Sequence, residues 1–387
     1  MRDNFYHYLK KKIRVAFLAQ ILATILYQPW LVYYQLQKAW ALTGRRSELP
    51  TSKKARERLA QQYYARTPVK EQVQRHWSAP TVSLSILMEV NDAEPFLEAA
   101  LESALNQNTQ YQYEVVALNT NSTDGSWEIL KKYGHRVRAE YYSKMDAATT
   151  RNRLLDLAQG EYVTYLDADD VLSEDAVEKW LSAAYREQAD LVQASYYTFD
   201  NRGVIEHFNQ GNHVIERFNE ENFRKFPGFN CMKIFKRQLF TQIKFPKDYA
   251  YEDTLLAFLI YPQVRTAVSL SDELYGYRQH PNSFSRKPGK SVIDTYWIVE
   301  QLFLDAQEQQ IAPHYLNHLL TYQLGPMLYS RMRGEDQQNL QAVFQLACEL
   351  KNQLPVLEND TNPFFVDLQR AFSQRNFKLW KLSAATL

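Results

Sequence analysis

Three aspartates, Asp167, Asp169 and Asp170, stand within four positions in the string TYLDADDVL (164–172). They follow EYVTYL (161–166), a run that reads as a buried strand. Adjacent carboxylates repel one another, and none of these has a basic residue beside it in sequence. Carboxylate oxygens are hard ligands, so a divalent cation between them turns repulsion into coordination. Mg2+ or Mn2+ typically takes one or two carboxylates and completes its shell with phosphate oxygens. Such an ion would bridge the protein to a diphosphate and stabilise negative charge on a leaving group. The purely structural alternative is a helix start, with Asp169, Asp170 or Ser173 capping a helix over 174–187. A D-x-D-D string arises by accident in roughly one chain in ten of this length, so the string alone does not decide.

The elements around it narrow the choice. Val82 to Met88 alternates as a strand, and Pro95 to Asn106 carries Phe96, Ala100, Leu101 and Leu105 on one helical stripe. Glu114 to Leu118 reads as a strand, Ser126 to Tyr133 as a helix, Arg138 to Tyr142 as a short strand and Ala147 to Ala158 as a helix. Strand and helix alternating at short intervals predict βαβ units and a mostly parallel sheet covered by helices on both faces. Ligands of such sheets bind where strands end at their carboxyl edge, which is where TNSTDG (120–125) and DADD (167–170) should fall. Beyond about Lys290 the pattern turns helical over 292–309, 314–332, 337–353 and 364–382. The predicted organisation is an N-terminal helix and charged linker (1–80), an α/β domain (81–290) and a C-terminal helical region (291–387).

The chain has 387 residues, 45% hydrophobic and 23% charged, enough for a sizeable core with additions. Its net charge of +1 creates no field that would favour nucleic acid. Cys231 and Cys348 have no metal-ligand spacing, and a reducing compartment is the simplest reading. After Lys10-Lys11-Lys12 and Arg14, no charged residue occurs from Val15 to Gln37. Gln20, Thr24 and Gln28 line one face of a helix there, Pro29 should kink or end it, and both flanks are basic. These features predict an amphipathic, membrane-proximal helix; a helix docked on its own protein or a partner, and a true span, are the alternatives, and no small-x-small site follows to mark a cleaved signal.

Six motifs then recur in order: EVNDAEPFL (89–97), LNTNSTDGS (118–126), TRNRLL (150–155), GEYVTYLDADD (160–170), YEDTLL (251–256) and YGYRQHPNS (275–283). Over about residues 82–286 this set resembles the inverting family 2 glycosyltransferases, which have the Rossmann-like GT-A fold. The resemblance implies donor contacts at Val90, Asp92, Glu94, Thr120, Asp124, Arg151, Asp167 and Arg278. It implies a metal at Asp169, Asp167 facing the metal or the nucleotide ribose and Asp170 supporting the loop, with His280 as a further metal ligand or an acceptor contact. It also makes Asp253, beside Glu252, the base that takes the proton from an acceptor hydroxyl. Arg286 is a further candidate for diphosphate oxygens. The structural reading of Glu252-Asp253 is dipole complementation at a helix start; that of Asp124-Gly125 is a turn and cap.

The departures matter. The family's Pro-Val-Tyr-Asn is Glu89-Val90-Asn91-Asp92 here, and an Asp-Asp pair that helps read the base is Asn119-Thr120. Neutral groups can still meet a uracil N–H, so a UDP-sugar remains the expected donor. The expected enzyme is a metal-dependent hexosyl- or N-acetylhexosaminyl-transferase using Mn2+ or Mg2+. Its acceptor is a surface-glycan or lipid-linked hydroxyl, and its place is peripheral at the inner, cytoplasmic face of the cell membrane. The rival readings are a non-catalytic partner subunit of the same fold and a sugar nucleotidyltransferase. The latter would want a basic Gly-rich loop where EVNDAE stands.

Overall fold

The computed structural model describes residues 16–70, 73–216, 218, 225–281, 290–355 and 362–386. Lys10 to Arg14, Asn282, Ser283 and Arg286 lie outside them. The chain divides into two compact units, one made of Met1–Val69 with Gly289–Leu387 and the other of Lys70–Pro288. The N- and C-terminal segments, read separately in sequence, thus share a unit. Helix α1 (Ala16–Thr43) runs through Pro29, where a stop or kink was expected. Proline removes one backbone donor, and the turns after it are held by tertiary contacts. Trp30 and Tyr34 pack on Phe364, with ring centroids 5.6 and 4.7 Å away. Helix α2 (Ser52–Gln62) is capped by the Thr51 side chain and buries Ala55 and Leu59.

The second unit is built on a ten-stranded sheet. In chain order it contains β1 (Val82–Val90), α3 (Glu94–Leu105), β2 (Tyr113–Thr120), α4 (Ser126–Lys132), β3 (Arg138–Tyr142), α5 (Ala147–Leu157) and β4 (Gly160–Tyr165). There follow β5 (Val171–Leu172), α6 (Ala176–Arg186), β6 (Leu191–Asp200), β7 (Gly203–Phe208), β8 (His213–Glu216), β9 (Lys233–Lys236) and β10 (Thr266–Arg278). The path runs β3-β2-β1-β4-β9-β6-β10-β5, with β7 on β6 and β8 on β10. β3, β2, β1 and β4 are mutually parallel, β6 and β10 are parallel, and β9 is antiparallel to both β4 and β6. Because the chain steps outward from β1 to β3 and returns to β4 on the other side, the topological switch falls between β1 and β4. Their carboxyl ends should therefore flank a ligand crevice.

The period of two in β1 sorts its side chains. Leu84, Ile86, Met88 and Val90 join a core with Leu97, Leu101 and Ala104 of α3, Leu130 of α4 and Trp180 and Leu181 of α6. Alternation puts Ser85, Leu87 and Glu89 on the opposite face, and α5 packs against β1 as well. Buried Ser85 donates to Glu114 Oε1 (2.6 Å) and accepts from Gly160 N (2.8 Å). Gly160 is required there, since a Cβ would lie 2.5 Å from Ser85 N.

The remaining helices are α7 (Asp294–Glu308), α8 (Pro313–Tyr322), α9 (Leu328–Met332), α10 (Gln337–Lys351), α11 (Pro363–Ser373) and α12 (Phe377–Ala384). Two single helices expected from periodicity are each divided. Pro326 sits in a π turn (Gln323–Met327) between α8 and α9. Arg375, with φ of 50°, separates α11 from α12, whose start Asn376 caps. α1 docks on this unit through Tyr34 Oη, which donates to Asp367 Oδ2 (2.9 Å), and through Lys38, 2.7 Å from Asp367 Oδ1.

Lys351 is buried in α10, its Nζ donating to the neutral Asn317 amide oxygen of α8. Burial pushes its pKa down to about 7 from 10.5. The unfolded chain then binds this proton more tightly than the folded one, so stability should rise with pH from about 7 towards 10. Lys351→Met should be more stable than the parent at pH 6 and should flatten that rise. Urea midpoints at pH 6 and 9 check it; equal pH slopes in both proteins would remove the assignment.

Candidate active site

Two loops meet beyond the ends of β1 and β2, and their side chains are spent on one another. Asp92 Oδ1 accepts from Thr123 N (2.7 Å), and Asp92 N donates to Ser122 Oγ (3.0 Å). Glu94 Oε2 accepts from Gly125 N (2.8 Å) while Glu94 N donates to Asp124 Oδ2 (3.0 Å). Asp124 Oδ1 also accepts from Ser126 N (3.0 Å), so the turn is present, while the N-cap of α4 is Gly125, which makes no side-chain cap. A Cβ on Gly125 would fall 2.6 Å from Glu94 Oε1. Asn119 is fully buried with its amide 2.9 Å from Ser122 Oγ, and Thr120 is buried beside Val90, its hydroxyl reaching the Val90 carbonyl (3.4 Å). Asp92 and Asn121 sit at φ of 46° and 61°, conformations that persist only where surroundings enforce them.

Across the crevice, the aspartate loop is tied to β10. Asp170 is completely buried, accepting from Tyr275 Oη (2.7 Å) on one oxygen and from Arg278 N (2.7 Å) on the other. Tyr275 Oη in turn accepts from Asp167 N (3.3 Å). Arg278 donates through Nε to the Asp169 carbonyl (2.7 Å), with its guanidinium over Phe199 (4.4 Å) and Phe96 (5.1 Å). His280 Nε2 lies 2.8 Å from Asp169 Oδ2, its ring against Phe96. Oxygens of Asp167, Asp169 and Asp170 all lie within 4.8 Å of one another. His280 approaches this set through Asp169 and is not itself one of its members. Burial, then the Asp169 charge, pushes the Asp167 carboxyl up to about 6; Arg151 opposes the shift. Burial and the charges of Asp167 and Asp169 likewise raise Asp170.

These residues fit a divalent cation. The donors are hard oxygens, their charges are crowded, and both Asp170 oxygens already accept hydrogen bonds. Asp167 and Asp169 are therefore the pair with coordinating capacity, which suits an ion sharing its shell with a diphosphate.

On the α5 side, Arg151 forms an ion pair with buried Glu252, over the Phe245 ring. Its charge also reaches Glu89 and Asp167. Burial raises the Glu89 carboxyl, an effect Arg151 offsets. Glu252 and Asp253 lie in a 3-10 turn (Glu252–Thr254) followed by a π turn (Leu256–Ile260), not in the α-helix expected of that run. Tyr251 before them has φ of 65°. Half-buried Asp253 is close enough to raise the Asp167 carboxyl. Beneath it, fully buried Lys233 donates to the Phe229 carbonyl (3.0 Å), and burial lowers its pKa to about 8.

The fold thus draws Asp167, Asp169, Arg278 and His280 into one cluster, with Arg151, Glu252 and Asp253 beside it. Asp92, Glu94 and Asp124 form a separate locked pair of loops. Sequence reasoning missed Tyr275, Glu89, Phe199 and Lys233. Tyr275 had a signal, its place in YGYR three residues before Arg278. Glu89 stands on β1 just past the stretch read as a strand, whereas Phe199 and Lys233 depend on pairings across β6, β9 and β10 that periodicity did not disclose.

Residues 85–243 match the profile of the family described as "Glycosyl transferase family 2". Glycosyltransferase GlyA of Streptococcus pneumoniae is 27% identical over 52% of this chain and 31% of its own length. The uncharacterized glycosyltransferase EpsJ of Bacillus subtilis is 25% identical over 55% of this chain and 66% of its own. The chain therefore spans less than two thirds of these relatives. The crystal structure of S. aureus TarS residues 1–349 with UDP-GlcNAc superposes with a TM-score of 0.58 at 17% identity, covering 78% of this chain and 90% of that one. The sheet order, the aspartate cluster at the β1/β4 switch and these likenesses agree: the α/β unit has the GT-A fold, and residues 85–243 within it match the family 2 glycosyltransferases.

Proposed function

We propose that the protein is an inverting, metal-dependent glycosyltransferase. It moves a hexose or N-acetylhexosamine from a UDP-sugar to a hydroxyl of a surface-glycan or lipid-linked acceptor, working peripherally at the inner face of the cell membrane. The observation that carries the reading is the convergence of Asp167 and Asp169 with Asp253, while the neighbouring Glu252 is held by Arg151. The UDP-GlcNAc bound by TarS and the glycosyltransferase relatives support a nucleotide-sugar donor.

In this reading Asp253 takes the proton as the acceptor oxygen bonds to the anomeric carbon, and the bond from that carbon to the diphosphate oxygen breaks on the opposite face. Asp167 and Asp169 would hold a Mn2+ or Mg2+ ion, which when bound would supply positive charge against the leaving diphosphate. Arg278, pinned between two rings, and Arg151 add fixed positive charge on either side of the aspartates. Val90 and Thr120 border the nucleotide, with Asp92, Glu94 and Asp124 keeping the loops in shape around it. His280 orients Asp169.

Asp169→Asn should remove the Mn2+-dependent part of UDP affinity. Calorimetry with Mn2+ and with chelator measures it; equal affinity in both conditions for the parent protein would sink the metal role. Asp253→Asn should keep UDP affinity while turnover with acceptor falls by roughly two to four orders of magnitude. A charge that merely complements a helix end would instead cost about 0.3–1 kcal/mol of stability and leave turnover intact. Tyr275→Phe takes the phenolic donor from Asp170, and a lost hydrogen bond to a buried charged group costs about 1.5–3 kcal/mol. Its thermal midpoint should drop and its metal-dependent UDP affinity weaken; a variant matching the parent in both would show that the tie is dispensable.

A further inference from the structure

Helix α1 has two unlike faces along its described side chains, Gln28 to Thr43. Tyr34 and Ala41 are buried against the helical unit, where Asn376 Nδ2 donates to the Ala41 carbonyl (2.8 Å). On the other side Val32, Tyr33, Leu36 and Trp40 are 59, 59, 65 and 57% exposed. At 3.6 residues per turn these four occupy an arc of about 100°, roughly opposite Tyr34 and Ala41. Self-docking therefore accounts for one face and leaves an aliphatic and aromatic stripe in water.

We propose that this stripe is a docking surface for an anionic lipid bilayer, an inference that names the partner for the membrane-peripheral enzyme proposed above. Two observations select lipid over protein. The first is charge. Lys378 Nζ stands 3.9 Å over the Trp40 ring, Arg45 follows with its side chain 92% exposed, and Arg46 is also exposed. Tyr and Trp beside cationic side chains match a headgroup boundary, where rings sit among the headgroups and cations meet phosphates. The second is size. Four side chains at these exposures present on the order of 500 Å², short of the ~800 Å² per partner of a stable protein interface. A bilayer needs no complementary shape. Among the described residues no helix is long and apolar enough to cross a membrane.

The test is cosedimentation of the full chain with vesicles of phosphatidylcholine alone, or with about a third phosphatidylglycerol. The parent should bind the anionic vesicles at least tenfold better. Leu36→Glu with Trp40→Glu should lose at least tenfold, and Arg45→Glu with Lys378→Glu should remove the preference for anionic lipid. Both pairs should keep Mn2+-dependent UDP affinity within about twofold, which also reports folding. Absence of parent binding, or parent-like binding by the Leu36/Trp40 variant, would overturn the proposal. So would a parent dimer that this variant disperses, since the stripe would then join two copies. Loss of UDP binding in the parent would sink the enzymatic reading and leave the vesicle result standing.

Discussion

The buried carboxylate of Asp170 is what the site depends on. It accepts from Tyr275 Oη and Arg278 N, both on β10, and so fastens a loop leaving β4 to a strand that arrives about a hundred residues later. With both oxygens engaged, Asp170 fastens the loop and leaves Asp167 and Asp169 as the pair with coordinating capacity. Tyr275 serves twice, accepting from Asp167 N as it donates to Asp170. Gly276 lets these strands pair so closely, because a Cβ there would meet Tyr197 Oη at 2.7 Å and Val171 at 2.9 Å.

That fastening concentrates negative charge, and the surrounding residues partition it. Glu89, Asp167, Asp169, Asp170 and Asp253 share a region in which Arg151 acts on Glu89 and Asp167, and Lys233 on Asp253. Arg151 is committed to Glu252, which makes the two acids of the pair unlike. One is buried and neutralised; the other is half-exposed and carries its charge towards Asp167. The division follows from the backbone. A left-handed Tyr251 and a tight 3-10 turn send successive side chains to different surroundings, which a regular helix would not arrange in the same way.

Much of this was legible in the amino-acid order. The first four strands and the helices between them follow period-2 and period-3.6 patterns, because each buries one continuous face. Arg138–Tyr142 was read to its ends, and β4 within a residue. The strands from β6 to β10 were not read. Their faces are mixed, β7 is exposed along most of its length, and their register depends on partners distant in sequence. Pro29 does not end its helix, which continues where Trp30 and Tyr34 pack on Phe364, and Pro326 was under-read. Clustering of the aspartates was legible, and so was a loop-supporting Asp170 beside Asp167 and Asp169; the partners on β10 that bury Asp170 were not.

The locked loops beyond β1 and β2 have a dynamic consequence. Amides of Asp92, Ala93, Glu94, Ser122, Thr123, Gly125 and Ser126 all donate to side-chain oxygens. Irregular segments near solvent usually exchange their amide hydrogens quickly, whereas here each amide is released only when a side chain on the same or the facing loop lets go. The two loops should therefore open together, as one cooperative unit with protection nearer that of the strands than of a surface loop. A ligand arriving at this edge meets a floor whose ordering entropy was already lost when the domain folded.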